Sequence, residues 1–459
     1  MIDSPLTSKH APIIIPKTVN TQISIMNRIL TFCFILFTLA FPFSISISQA
    51  AAYTGVVAWL IQTHLTHSWS KTKWILIWPI GLFFLTGVIS VVTAVDPALS
   101  FSGLKKLLKV IIFFWVMNAL TLTRPVDFIA DLSKRLKLSK LQNFIETRTQ
   151  SLKSAGLLNI FLGLVIMAGT LSAAYGIFQG FTHPDGTWER WRLNVHGSLS
   201  NIMTYSVITM LVASLVLARI LFGPRTSRKF FFGALILLVG AMILTLIRQS
   251  WLGLFAAAIF LLFVKKRILV LAPMLLVGLI LIFGPQPIAD RIKSITHINQ
   301  RSDQTADFHQ RSNQVRILLL KAGWDIFKDY PLTGCGFKCV FVVADQYPEH
   351  PILQRFKHLH NNVEQIAVDT GIIGLCAWLS IWVVYFVQLI RRSKQIPLDA
   401  NGRWVIFGSA GAVIAFLVAG MFENNFYDSE IIILMYFIMA LPFTSFNKTD
   451  LEPADSSGR

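Results

Sequence analysis

The stretch LLNIFLGLVIMAGTLSAAYGIFQGF, residues 157–181, contains no charged side chain. A helix needs about 20 apolar residues to cross the hydrocarbon core of a bilayer, where backbone polar groups must be satisfied internally. The whole chain has the same character, because its 459 residues are 54% hydrophobic and 14% charged, with a mean hydropathy of +0.61. A soluble protein cannot bury so much apolar surface. The sequence therefore predicts an all-α polytopic membrane protein.

Apolar runs of this kind recur along the chain, and we interpret about twelve of them as transmembrane helices. They cover residues 29–47, 50–65, 74–95, 104–122, 157–181, 199–222, 230–247, 251–264, 268–283, 372–390, 405–421 and 431–442. The run 251–264 is short, but the basic residues 265–267 separate it from the next run, as expected for two spans.

The distribution of lysine and arginine predicts how these spans are oriented, because short cytoplasmic loops are enriched in both. With the N-terminus inside, basic clusters such as 134–153, 225–229 and 265–267 all lie on the inner side, while the outer turn 423–430 carries only acids. The pattern predicts cytoplasmic termini and four regions. These are about nine helices in 1–283, a partly helical periplasmic cap in 284–371, about three helices in 372–446 and a cytoplasmic tail in 447–459.

Several basic residues violate this rule by lying on the outer side. They are Lys105, Lys106 and Lys109 at a helix start, Arg190 and Arg192 in an outer stretch, Arg248 in a tight turn, and ten residues of the cap that include Arg316. Long loops escape the charge rule, so the cap by itself could be a simple soluble domain. An arginine at the membrane edge in a tight turn is costly unless it is paired or functional. Arg248 therefore favours an anionic ligand on the outer side.

The four cysteines do not form a framework. Cys33 and Cys376 lie in apolar spans, where packing is their expected role. Cys335 and Cys339 lie in GCGFKC on the outer side, where a disulfide is compatible with an oxidising compartment. A spacing of four residues disfavours this bond on a regular helix, and the bond would need an irregular loop.

The stretch HLHNNVEQIAVDTGIIG, residues 358–374, places a polar cluster at the outer end of an apolar run. Residues two apart on a helix point to nearly opposite sides, so His358 and His360 would not chelate a metal there, and no recognised metal-ligand spacing occurs nearby. Asn361 or Asn362 could simply cap the helix. An outer histidine can also act as a base beside arginines that hold phosphate, and this combination favours catalysis.

Three motifs resemble the O-antigen ligase family. His360-Asn361 followed by Gly371-x-x-Gly374 is similar to the family's histidine signature, and RILLLKAGWDIFKDYPLTGCGF, residues 316–337, resembles the segment before it. LTLIRQSWLGLF, residues 244–255, resembles the membrane-edge arginine motif, although Ile247 and Gln249 replace the usual serine and glycine. RLNVHGSLSN, residues 192–201, is a weaker match. The convincing resemblance covers about residues 230–378.

The resemblance implies a GT-C-like glycosyltransferase of the bacterial inner membrane that needs no metal or cofactor. It would transfer O-antigen from undecaprenyl diphosphate to the lipid A-core oligosaccharide on the periplasmic face, among membrane lipids and without nucleic acid. His360 would be the catalytic base of an inverting reaction, and Arg248, Arg316 and Arg192 would bind the donor diphosphate. Possible supporting residues are His358, Asn361, Glu364 and Lys105. Glu364, Asp325 or Asp369 could orient His360, while His358 would lie on another face.

Two alternative functions share some of these features. An O-antigen polymerase or a protein O-oligosaccharyltransferase of the same superfamily would use the same donor and histidine, and would differ only in the acceptor. A transporter for an anionic lipid or solute would also place arginines outside. Transporters more often have internal symmetry and polar residues at mid-bilayer, and the predicted spans lack such charges, so this alternative ranks last.

The predicted topology can be tested by cysteine labelling in a cysteine-free background. A single cysteine at Ser302 should react with an impermeant reagent in cells whose inner membrane is intact, because residues 284–371 are predicted to be periplasmic. Labelling that occurs only after the inner membrane is breached would reverse the orientation of the cap.

Overall fold

The computed structural model describes residues 17–137, 156–182, 195–199, 201–225, 227–283, 288–290, 308–397 and 402–446, with a few single residues between these ranges. These residues fold almost entirely into helices. The α-helices are Lys17–Ala40 (α1), Ile45–Leu65 (α2), Ile77–Val92 (α3), Pro97–Leu104 (α4), Ile111–Ala119 (α5), Pro125–Arg135 (α6), Leu157–Thr182 (α7), Ile202–Phe222 (α8), Arg228–Leu244 (α9), Arg248–Lys265 (α10), Leu271–Phe283 (α11), Phe308–Asp329 (α12), Cys339–Val342 (α13), Asn362–Lys394 (α14), Arg403–Ala419 (α15) and Ser429–Ala440 (α16).

A helix lies at each of the twelve predicted spans, which supports a multi-pass membrane protein. Five helices of the described chain are long and apolar enough to cross a membrane: Thr21–Ala40, α7, α8, α10 and α14. A sixth arises if Pro97–Leu122 and Pro125–Arg135, bent by 72°, form one broken span. Four further apolar helices are shorter, so the count of twelve full spans is not established. The first predicted span was also misplaced, because α1 ends at Ala40 and Ser44 caps α2.

The bundle is organised around α8, whose side chains are mostly buried. This helix packs against α9, α10 and α15, while α1 packs on α2 and α14 packs on α3. Large apolar side chains such as Trp78, Ile236 and Val383 remain exposed on the outer faces of the bundle. Because no other part of the described chain covers them, these faces are suited to contact with lipid.

The cap has its own small hydrophobic core, formed between α12, α13 and the following turns. Cys335 and Cys339 form a disulfide, so the disfavoured alternative proves correct. This part of the chain is the irregular loop that such a bond needs. Gly334, Gly336 and Lys338 all have positive φ, and the chain is not helical there. Backbone hydrogen bonds from the loop to Val368 and Asp369 attach the cap to α14.

The close contact between cap and bundle depends on Gly371. This residue has φ 66° and ψ −172° and marks a kink within α14. A Cβ at this position would overlap the backbone of Leu332 and Thr333, and the Ile372 N–H donates to the Pro331 carbonyl at 2.8 Å. At Gly374 the nearest atoms belong to Thr370 of the same helix, so only the first glycine of the motif mediates close packing.

Gly371→Ala should therefore destabilise the protein. The left-handed backbone alone costs a non-glycine residue about 1–3 kcal/mol, and the overlap with Leu332 adds to this. Thermal unfolding in detergent should show a clearly lower Tm than in wild type. Gly163→Ala in α7 is the matched control, because the described residues place no atom within 4 Å of where a Cβ would lie. Equal Tm values for both variants would contradict the packing role of Gly371.

Candidate active site

The two histidines lie in a short loop that leads into α14. Asn361 caps this helix, because its side chain accepts hydrogen bonds from the backbone N–H groups of Val363 and Glu364. His360, just before the cap, has a left-handed φ of 53°. This conformation is rare for a residue with a side chain and often marks a functional position. Asn361 is thus a helix cap, as one interpretation of the sequence predicts.

Asn362 connects the start of α14 to the turn between α15 and α16. Its backbone N–H donates to the Gly420 carbonyl at 2.7 Å, and its side-chain oxygen accepts from the Phe426 N–H at 3.0 Å. The side chain is buried, so these bonds form away from water. They hold the turn beside the histidine loop and bring Glu423 to His360.

Glu423 and His360 form a direct pair. Nδ1 of His360 lies 2.7 Å from Oε1 of Glu423, and the two side chains are 18% and 12% exposed. An ionised carboxylate only accepts hydrogen bonds, so the imidazole donates through Nδ1. The neutral tautomer then has its lone pair on Nε2, which is the form required of a general base.

The electrostatics of this pair favour an ionised carboxylate on Glu423. Burial opposes ionisation of Glu423, but the His360 hydrogen bond and the nearby charge of both histidines outweigh it and hold the pKa of this carboxyl below its usual value of 4.5. Burial, followed by repulsion from His360, lowers the pKa of His358. The His358 and His360 rings lie 4.3 Å apart between centroids, so His358 does not occupy another face as the sequence suggested.

Both histidines and Glu423 line a cavity of about 880 Å³ between the cap and the bundle. Its wall combines apolar side chains such as Leu99, Phe341 and Ile431 with polar and charged groups. The basic residues lining it are Lys106, Lys338 and Lys357, and the acidic ones are Asp369, Glu423 and Asp428. The cavity therefore offers a mixed surface suited to a ligand with both charged and apolar parts.

The lysines at the cavity differ from the one that sequence reasoning selected. Lys105 is exposed and lies over the Phe101 ring, whereas its neighbour Lys106 lines the cavity and donates to the Tyr427 carbonyl at 3.2 Å. Lys338 donates to the Ser102 hydroxyl at 2.8 Å from its positive-φ position beside the disulfide. The charge distribution identified only a cluster of lysines and could not choose between adjacent positions.

Two predicted arginines lie together next to the histidine pair. Nε of Arg316 on α12 donates to the Phe422 carbonyl at 3.1 Å, one residue from Glu423. Burial lowers the pKa of Arg316, and the Glu423 carboxylate partly offsets this effect. Arg248 is buried at the start of α10, close enough to Arg316 for the two charges to interact. Arg192 lies outside the described residues.

The carboxylates predicted to orient His360 have other surroundings. Asp325 pairs with Lys328 and with His350, and Asp369 accepts from the Gln365 side chain at 2.9 Å. Glu364 packs against Gly323 of α12, and its oxygens have no hydrogen-bond partner among the described residues. The partner is Glu423 instead. The sequence placed the acidic turn 423–430 on the same outer side as His360. Its position in the sequence did not indicate that Glu423 contacts His360.

The same side chains also form a set of potential metal ligands. Donor atoms of His358, His360 and Glu423 lie within 4.8 Å of one another. On a helix the two histidines would point in nearly opposite directions and could not share a metal. Both precede α14 and lie in a loop, so this restriction does not apply to them. Two imidazoles and one carboxylate are a donor set typical of zinc and other first-row transition metals.

The Glu423 pair predicts a specific dependence of stability on pH. Because the native pKa of Glu423 is lowered, its stabilising effect is complete above pH 4.5 and is lost as the pH falls through the native pKa. The Tm difference between wild type and Glu423→Gln should therefore shrink as the pH falls below 4.5. Thermal unfolding across this range is the measurement, with Glu349→Gln at an exposed position of the cap as control. Wild-type and Glu423→Gln curves that stay parallel throughout would contradict the pairing.

Comparison with known proteins agrees with the motifs in the histidine and arginine segments. Residues 233–379 match the family model described as O-antigen ligase, close to the region 230–378 expected from the motifs. The match includes Arg248, Arg316 and His360, whereas Glu423 and Lys106 lie outside it. No curated protein matches the chain at a significant level. Over residues 233–379 this membrane protein is similar to the O-antigen ligase family, which supports a glycosyl-transferring enzyme of the ligase and polymerase kind.

Proposed function

We propose that the protein transfers O-antigen glycan from undecaprenyl diphosphate to the lipid A-core oligosaccharide on the periplasmic face of the inner membrane. The observation that carries this proposal is the His360–Glu423 pair at the wall of a cavity lined by lysines, with Arg316 and Arg248 beside it. The arrangement supplies a base for a sugar hydroxyl and positive charge for a departing diphosphate. A GT-C-like fold and the four regions divided at residues 283, 371 and 446 belong to the same proposal.

The base acts on the acceptor. A hydroxyl of the acceptor sugar attacks the anomeric carbon of the donor glycan while Nε2 of His360 takes the hydroxyl proton. The new glycosidic bond forms as the bond between that carbon and the diphosphate oxygen breaks. A single displacement of this kind inverts the anomeric centre. Glu423 stabilises the imidazolium that forms, which makes it a positioning residue, since it acts through His360.

The leaving group collects negative charge, and cations can stabilise it without a metal. Arg248 and Arg316 are the proposed diphosphate ligands, with Arg192 as a third. Guanidinium groups bind phosphate oxygens in pairs and keep their charge when partly buried. Lys106 and Lys338 line the same cavity as His360 and add positive charge to it. Both substrates are lipid-anchored, which is consistent with a site where a cap meets spanning helices.

A lipopolysaccharide gel from a deletion strain tests the acceptor. Loss of all O-antigen bands, with accumulation of carrier-linked polymer, is expected for the ligase. A product with one repeat unit would indicate a polymerase instead. Intact lipopolysaccharide with loss of protein glycosylation would indicate a protein O-oligosaccharyltransferase. Restoring the deletion with the wild-type gene, and separately with His360→Ala, links the outcome to the proposed site.

His360→Ala should abolish most transfer. Loss of a general base typically costs about a hundred- to ten-thousand-fold in rate, and the variant should still fold and bind donor. His358→Ala should retain a substantial part of the rate, because the proposed proton transfer uses only His360. Turnover by the purified enzymes with lipid-linked donor is the measurement. A His360→Ala enzyme with near-normal turnover would show that this histidine is not the base.

Arg248→Ala and Arg316→Ala should each lower turnover by about a hundred- to a thousandfold, the usual cost of losing one group that stabilises a developing anion. Arg→Lys at either position should not restore full activity, because an ammonium cannot supply the paired donors of a guanidinium. Arg355→Ala at an exposed position of the cap is the control and should have little effect. Normal donor affinity and turnover in both alanine variants would refute the diphosphate role.

A further inference from the structure

His358 has no role in the proposed transfer, yet it faces the same carboxylate as the base. Its Nδ1 lies 3.9 Å from Oε1 of Glu423, while Nδ1 of His360 lies 2.7 Å from that oxygen. Nδ1 of His358 is buried and has no hydrogen-bond partner among the described residues. A buried polar atom without a partner calls for an explanation, and a ligand that the structure does not contain is one.

We propose that Nδ1 of His358, Nδ1 of His360 and Oε1 of Glu423 form a binding site for Zn²⁺, and that bound zinc switches off the enzyme. Zinc bonds to nitrogen and oxygen are about 2.0–2.2 Å long, so ligand atoms around a tetrahedral ion lie about 3.3 Å apart. Oε1 of Glu423 lies 2.7 Å from Nδ1 of His360 and 3.9 Å from Nδ1 of His358, one distance shorter and one longer than this value. Small side-chain rotations would equalise them. The fourth position would face the cavity and take water or a phosphate oxygen.

The inhibitory effect follows from the tautomers of His360 and rests on the proposed function. In the metal-free pair Nδ1 carries the proton and Nε2 has the lone pair that accepts the acceptor's proton. Zinc takes the place of the Nδ1 proton, which leaves to solvent, and the neutral imidazole then carries a proton from water on Nε2. The ring keeps the same number of protons, but its reactive nitrogen is blocked. Zinc also occupies the carboxylate that stabilises the imidazolium.

The donor set selects against the common hard cations. Imidazole suits zinc and other first-row transition metals, while magnesium prefers an octahedral shell of oxygen ligands. Mg²⁺ should therefore neither bind at this cluster nor inhibit transfer.

Zinc titration of the full-length protein tests the site directly. Calorimetry on chelator-treated protein, with any histidine tag removed, should detect one zinc ion per chain at the cluster. His358→Ala and His358→Gln should each raise the zinc Kd by at least about tenfold, since even indirect partners of a metal change affinity by about 10- to 100-fold. His350→Ala is the matched control, because His350 also pairs with a carboxylate, Asp325, at 2.7 Å and should leave the zinc Kd unchanged. A zinc Kd that stays the same in both His358 variants would overturn the site.

Transfer assays test the inhibition separately. Zinc should stop transfer by wild type, a chelator should restore it, and the His358 variants should keep their own rate at a zinc concentration that inhibits wild type. Transfer that continues in zinc-saturated wild type would overturn the inhibitory role. If wild type shows no transfer without zinc, the proposed function fails, and the titration still decides whether zinc binds at His358.

Discussion

The site depends on the hydrogen bonds between Asn362 and the turn that follows α15. The Asn362 backbone donates to the Gly420 carbonyl, and its side chain accepts from the Phe426 N–H, which joins the two elements. A Cβ at Gly420 would overlap the Asn362 amide. These bonds form at a buried position, where an unmade hydrogen bond costs about 1–3 kcal/mol. The contact is therefore well determined, and it fixes Glu423 against His360 and Phe422 against Arg316.

A second attachment holds the cap against the same helix. The loop around the disulfide donates hydrogen bonds to Val368 and Asp369, and Gly371 lets the backbone of Leu332 approach α14. The short polar start of α14 thus lies between the cap loop and the turn 420–426. Because both neighbours bind its backbone directly, the histidine loop before it has little freedom to shift. Such preorganisation matters for a base, whose efficiency depends on reaching its proton at hydrogen-bond distance.

Hydropathy predicted the positions of the helices well because a membrane admits few alternatives. Backbone groups in lipid must bond within their own segment, so an apolar run such as Leu157–Thr182 becomes a helix. Hydropathy predicted lengths less well. Helices such as Ile77–Val92 and Arg403–Ala419 end earlier than their runs suggest, because Thr93 and Gly420 begin tertiary contacts with the cap and with Asn362. Helix ends at a site are determined by packing, which composition does not encode.

The candidate site was predictable where one segment carries the information. His360 and Arg316 stand in recognisable local motifs, and Asn361 caps a helix whose apolar pattern is visible in the sequence. Glu423 was missed because its pairing with His360 is a tertiary contact across 63 residues. His358 was misplaced because the helix was assumed to begin before it, and a change from helix to loop alters the direction of every side chain in the segment.

The charges at the site explain why a carboxylate lies close to both Arg316 and His360. In the proposed reaction Arg316 and Arg248 attract the diphosphate, but a base beside them would be disfavoured from accepting a proton, since the resulting imidazolium adds to the positive charge. Glu423, between Arg316 and His360, removes this conflict. With Glu423 ionised, protonation takes the pair from a net charge of about −1 to about zero and adds no excess positive charge. Its burial keeps water from screening the interaction. In the proposed reaction, Glu423 thereby allows a neutral base to lie close to the arginines that bind the diphosphate.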